Sequence, residues 1–87
     1  MYETVEETVA VLASFGRNFR DAKPLRIEWN NRSYEIAKIG YHHKVREGRK
    51  VMHIYSCTTT DGIFFELRFD ADDINWTLKR TWDGETT

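Results

Sequence analysis

Strict two-residue alternation of apolar and polar side chains is the feature that most limits what this chain can become. In "IFFELRF" Ile63, Phe65, Leu67 and Phe69 point one way, while Phe64, Glu66 and Arg68 point the other. In "INWTLKRTW" the sets are Ile74, Trp76, Leu78, Arg80 and Trp82 against Asn75, Thr77, Lys79 and Thr81. In "PLRIEW" Leu25, Ile27 and Trp29 oppose Arg26 and Glu28. Successive side chains on a strand take opposite faces, so this pattern predicts strands with one buried face. "VMHIYSCTTT" is rich in strand-favouring residues, with Val51, His53, Tyr55 and Cys57 on one side and Met52 and Ile54 on the other.

The turns are as clear as the strands. Asn30-Asn31 stands between two strand patterns, and asparagine tolerates the positive φ of a tight hairpin. Asp61-Gly62 is a second hairpin signal, Gly48 marks a third reversal, and "FDADDIN" is a polar connection before the last strand. In "RSYEIAKIGY" Tyr34 and Ile36 share one face, but Ala37, Ile39 and Tyr41 share the other. A bulge or bend near Ile36 and Gly40 accounts for that change of phase. Residues 8–15 read as a strand, since Val9, Val11, Ala13 and Phe15 alternate; a short N-terminal helix is the alternative. "GRNFRDAKP" is a connection closed by Pro24, and residues 83–87 are expected to fray. The expectation is one all-β domain over residues 1–87. It is an antiparallel meander of five or six strands, strongly twisted or curled into a small open barrel.

A chain of 87 residues has few core positions, so its 14% of aromatic residues must carry much of the burial. No apolar run approaches the ~20 residues of a membrane span, and the acidic start "MYETVEETVA" lacks the order of a secretory signal. A single cysteine, Cys57, predicts a reducing, cytoplasmic setting. Net charge is −1 but is unevenly distributed: residues 16–50 carry ten Lys/Arg against four Asp/Glu, and residues 51–87 carry three against seven. Antiparallel neighbours of opposite sign are expected to pair across strands, with a basic binding face as the alternative.

The blocks "LRIEWNNRSYEI" and "GIFFELRFDADDINWTLKRTWD" together resemble a family of small bacterial domains without an assigned function. The family pattern is an aromatic-rich hairpin, then a Gly-aromatic-x-Leu strand, a polar turn and a Trp-x-Leu strand. Here it falls on Trp29, Arg32 and Tyr34, then on Gly62, Phe64 or Phe65, Leu67, Asp70, Trp76 and Leu78. Some relatives are appended to proteins resembling translesion DNA polymerases, and others stand alone. The resemblance implies the β fold and no catalytic residue.

The residues that could carry chemistry do not assemble into a reaction. His42 and His43 are adjacent and so face opposite ways on a strand, though either could meet His53 across a hairpin. His53 and Cys57 share a face but lie roughly 13 Å apart along it. No four-ligand zinc spacing is present, and no metal or cofactor is expected. Ser14, Ser33 and Ser56 lack a nucleophile-elbow frame, and Cys57 reads as a small buried hydrophobe. Asp70, Asp72 and Asp73 lack calcium-loop spacing; Asp70 is expected to brace an Asx-type turn. The five glycines form no phosphate loop.

"HHKVREGRK" is the remaining candidate surface. Tyr41, His42, His43, Lys44, Arg46, Arg49 and Lys50 would interleave aromatic and basic groups around a hairpin, as single-strand nucleic-acid binders do. The plain reading is a solvated tip that keeps the sheet soluble. A non-enzymatic binding module is therefore expected, with a nucleic-acid or protein partner. The alternative is a self-associating domain that uses a sheet edge or an apolar outer face at Met52, Ile54 and Phe64.

Overall fold

The computed structural model describes residues 3–15 and 22–82. The frayed tail expected at 83–87, and most of the connection expected at 16–24, lie outside the described residues. The strands are β1 (Glu3–Thr8), β2 (Ala10–Ser14), β3 (Lys23–Trp29), β4 (Arg32–Glu47), β5 (Lys50–Thr59), β6 (Phe64–Asp70) and β7 (Asn75–Trp82). They form one antiparallel sheet in the order β1-β7-β6-β5-β4-β3-β2. The architecture is a curled, half-barrel meander, and no helix occurs among the described residues, which removes the N-terminal helix alternative. No helix is therefore long and apolar enough to cross a membrane.

There are seven strands rather than five or six because the N-terminal segment contributes two. It breaks at Val9: β1 pairs with β7, and β2 pairs with β3. The break puts two consecutive strands at opposite ends of the sheet, and the Val9 N–H crosses to the Trp76 carbonyl at 3.0 Å. β1 carries no alternation to betray it, since only Val5 of its six residues is even half-buried.

The turns form as their residues dictate. Asn30 and Asn31 both take positive φ, 56° and 60°, between the paired Trp29 and Arg32. This is the two-residue hairpin whose twist matches that of its strands. Gly48 (φ 61°) opens the turn between Glu47 and Lys50. Gly62 (φ 85°) allows the Asp61 loop to close, with its N–H donating to the Thr59 carbonyl at 3.0 Å.

The concave face holds an aromatic core. Ile27, Tyr34, Tyr55, Cys57, Phe65, Leu67, Phe69, Trp76 and Leu78 are buried. Phe65 meets Tyr34 and Trp29 edge-on at 5.1 and 6.0 Å, and Phe69 lies 4.6 Å from Trp76. Such tilted and edge-on contacts suit the ring quadrupoles.

Register shifts bend the sheet, and they correct several expected facings. A shift beside Leu12 turns Leu25 outward, 47% exposed, and brings Pro24 into the core in its place. A shift between the Glu66 and Leu67 pairings loops out Lys79, so Arg80 and Trp82 leave the core set. Trp82 then stands opposite Phe64 on the outer face, and Arg80 stands opposite Glu66, bonding it at 3.1 and 2.8 Å. On β4 two shifts, at Ala37 and Gly40, supply the phase change expected there. The core-facing residues of β4 become Tyr34, Ile36, Ile39, His42 and Lys44, while Tyr41 turns outward.

Candidate nucleic-acid interface

β4 is paired on both sides only at its beginning. Arg26 and Glu35 are the last partners across β3, and from Ile36 to Glu47 β4 has β5 alone. The two extra residues, Ala37 and Gly40, swing the strand away from β3, as bulges do. The divergence opens a cleft of about 870 Å3 between Ala22–Leu25 on one wall and Ile36–Ile39 on the other, floored by His42 and Tyr55.

The floor is held from three directions. The Tyr55 hydroxyl donates to the Ala22 carbonyl at 2.6 Å, which ties β5 to the start of β3. The His42 ring stacks on Tyr55 with centroids 4.4 Å apart and planes 2° from parallel. His42 Nε2 and His53 Nδ1 share a hydrogen bond of 3.0 Å, realising the cross-hairpin meeting that the sequence allowed. His53 is buried, whereas His42 remains exposed to the cleft. Partial burial, then the Lys44 charge and neighbouring His43, hold the His42 pKa below its ordinary value.

The other candidates divide between two faces of the same strand. Tyr41 is 58% exposed on the outer face, with its ring 4.9 Å from that of His43. His43 is half-buried, and its buried Nδ1 has no hydrogen-bond partner among the described residues. Neither histidine is at a strand end, because β4 runs on to Glu47. Lys44, Arg46 and Arg49 form no ion pair with the described residues. Lys50 differs, since it bridges to Asp70 at 3.1 Å and to Asp73 at 3.0 Å. The hydrogen bonds to Asp73 and Asp70 raise its pKa and commit its charge within the fold.

Asp70 has the turn-bracing role expected of it. Its Oδ1 accepts the N–H of Asp72 at 2.9 Å and of Asp73 at 3.3 Å, while its Oδ2 takes Lys50. Burial works to raise its pKa, but the bonds from Lys50 and the two backbone groups prevail and hold the carboxyl below the usual range. Arg80 pairs with Glu66 across neighbouring strands, Arg32 meets Asp61 in the β5–β6 turn, and Arg68 reaches Glu6 of β1.

The apolar outer patch is not bare. Met52 and Ile54 are buried, at 9% and 5% exposure, in a hollow shared with Glu66, Arg68 and Arg80. Phe64 is half-buried opposite Trp82. Glu66 and Arg68 of β6 and Lys79 and Arg80 of β7 line the same hollow. Burial also pushes the Cys57 thiol up to about 12, so it stays protonated at neutral pH.

Sequence reasoning missed Lys23 and Lys38, which line the cleft. Their sign was visible in the basic 16–50 block, but their juxtaposition depends on the splaying of β3 from β4. No family model, no curated protein and no solved structure matches the chain.

Proposed function

We propose that this chain is a non-enzymatic binding module that contacts single-stranded nucleic acid along the distal part of β4. The observation that carries the reading is the exposed ring of Tyr41 on a one-sided strand whose Lys44, Arg46 and Arg49 have no acidic partner among the described residues. By contrast Arg32, Lys50, Arg68 and Arg80 each face a carboxylate. Unmatched cations along an unpaired strand edge, with an exposed ring on the other face of the same edge, suit a polymer of phosphates and flat bases.

Fluorescence anisotropy with labelled single-stranded and duplex DNA and RNA, across a salt series, tests this. Single strands should bind more tightly than duplex. Three neutralised phosphates give a slope of roughly −2 in log K against log salt. Lys44, Arg46 and Arg49 replaced together by alanine should abolish binding. Tyr41→Ala should weaken it by ~1–3 kcal/mol, the worth of one stacked base. Absence of binding at low salt, or binding indifferent to the triple change, sinks the reading.

A second reading has one observation in its favour, the open edge of β4 from Ile36 to Glu47. An unpaired edge is a template for another strand. Self-pairing would bring Lys38, Lys44 and Arg46 of two copies into one seam, and that repulsion makes nucleic acid the better partner.

A further inference from the structure

We propose that the cleft between β3 and β4 is a nucleotide slot, in which a base stacks on the His42 ring and its phosphate meets Lys23 and Lys38. The inference rests on the nucleic-acid reading for the source of the nucleotide, but its ring, His42, is on the opposite face of β4 from Tyr41.

Three features converge on it. The first is the plate. An exposed histidine normally turns freely, but here one ring face lies on Tyr55 and the ring edge is bonded to His53. Tyr55 is itself fixed by the Ala22 carbonyl. A ring held in one orientation at the floor of a cleft loses little freedom when something stacks on it. The second is the wall. Pro24, Ile36 and Ile39 give apolar sides, and a volume of about 870 Å3 lies within the ~300–1,000 Å3 of small-ligand sites. The third is the charge. Lys23 and Lys38 belong to the lining, no aspartate or glutamate does among the described residues, and neither lysine has an ion pair there. A bare anion would have no use for the plate, and an apolar ligand would have no use for the lysines.

The one-sided pairing of β4 joins this slot to the outer surface. Tyr41 and His42 are successive residues on opposite faces, and no described strand lies beyond the edge between them. A single strand following that edge reaches a ring on either side.

The source of the nucleotide, a polymer or a free mononucleotide, is separated by two arms. In the first, adenosine 5′-monophosphate is titrated into the intact chain while the methyl resonances of Ile36 and Ile39 are followed. They should shift in the wild type and in His42→Phe, which keeps a flat ring, and stay still in His42→Ala. The Lys23→Ala, Lys38→Ala pair should weaken the response while leaving the floor intact. The Leu78 methyl resonances, buried on β7 and outside the cleft lining, report whether each variant is folded. In the second arm, oligonucleotides with and without one abasic position are compared by anisotropy. Loss of one base should lower affinity roughly ten-fold in the wild type and hardly at all in His42→Ala. Methyl groups that ignore the mononucleotide, or a folded His42→Ala that responds as the wild type does, overturn the slot even where oligonucleotides bind with steep salt dependence. Methyl shifts without any oligonucleotide binding uphold the slot for a free mononucleotide and remove the nucleic-acid reading instead.

Discussion

His42 is where the chemistry of a single residue is most exposed to test. Its pKa lies below the ordinary 6.5 because burial, and then Lys44 and His43, disfavour the charged ring. The unfolded chain therefore takes up a proton near pH 6.5 that the folded chain accepts only at lower pH. The stability tied to this histidine is complete above 6.5 and is lost as pH falls through the folded value. Urea unfolding at steps between pH 7.5 and 5 should show that loss, and His42→Phe should flatten it while keeping the ring on Tyr55. A slope unchanged by the substitution would assign the acid sensitivity to another group. Of this arrangement only the chance of a histidine meeting across the hairpin was readable in advance. The stack on Tyr55 was not, because it needs the extra residue at Gly40 to turn His42 inward and Tyr41 outward.

At the level of elements, alternation told which segments are strands, and turn residues told where they reverse. Asn30-Asn31, Gly48 and Gly62 all take the positive φ their positions require. Facing was less legible, because a bulge inverts every side chain beyond it while leaving no mark on composition. On β4 the inversion showed, since apolar residues lie on both sides of it. On β7 it did not: "WTLKRTW" alternates without a break, and only the contact of Arg80 with Glu66 reveals that Lys79 has been looped out. The β6–β7 connection was read correctly, and it invites a direct comparison. Asp70→Ala removes the acceptor for two backbone N–H groups and the partner of Lys50. It should cost about 2 kcal/mol in urea unfolding. Asp70→Asn keeps the carbonyl oxygen for the turn and should cost less than half as much. Equal losses would mean that the ion pair, rather than the turn, is what Asp70 supplies.

For the molecule as a whole, the decisive feature is the break at Val9. Cross-strand charge pairing and the aromatic core follow from local pattern, but the placing of β1 against β7 does not, because an exposed acidic strand carries no periodic signal. Val9→Pro removes the N–H that crosses to Trp76 and should cost about 2 kcal/mol more than Val9→Ala, which keeps it. Equal thermal stability of the two variants would show that this bond does not hold the ends of the sheet together. The same break also orders events in time. β2 can pair as soon as Lys23–Trp29 has been made, whereas β1 must wait for Asn75–Trp82. On a ribosome adding ~5–20 residues each second, that wait is roughly four to fourteen seconds. Through it β1 stands unclaimed, and its three glutamates, Glu3, Glu6 and Glu7, keep it in water and apart from its neighbours until β7 emerges.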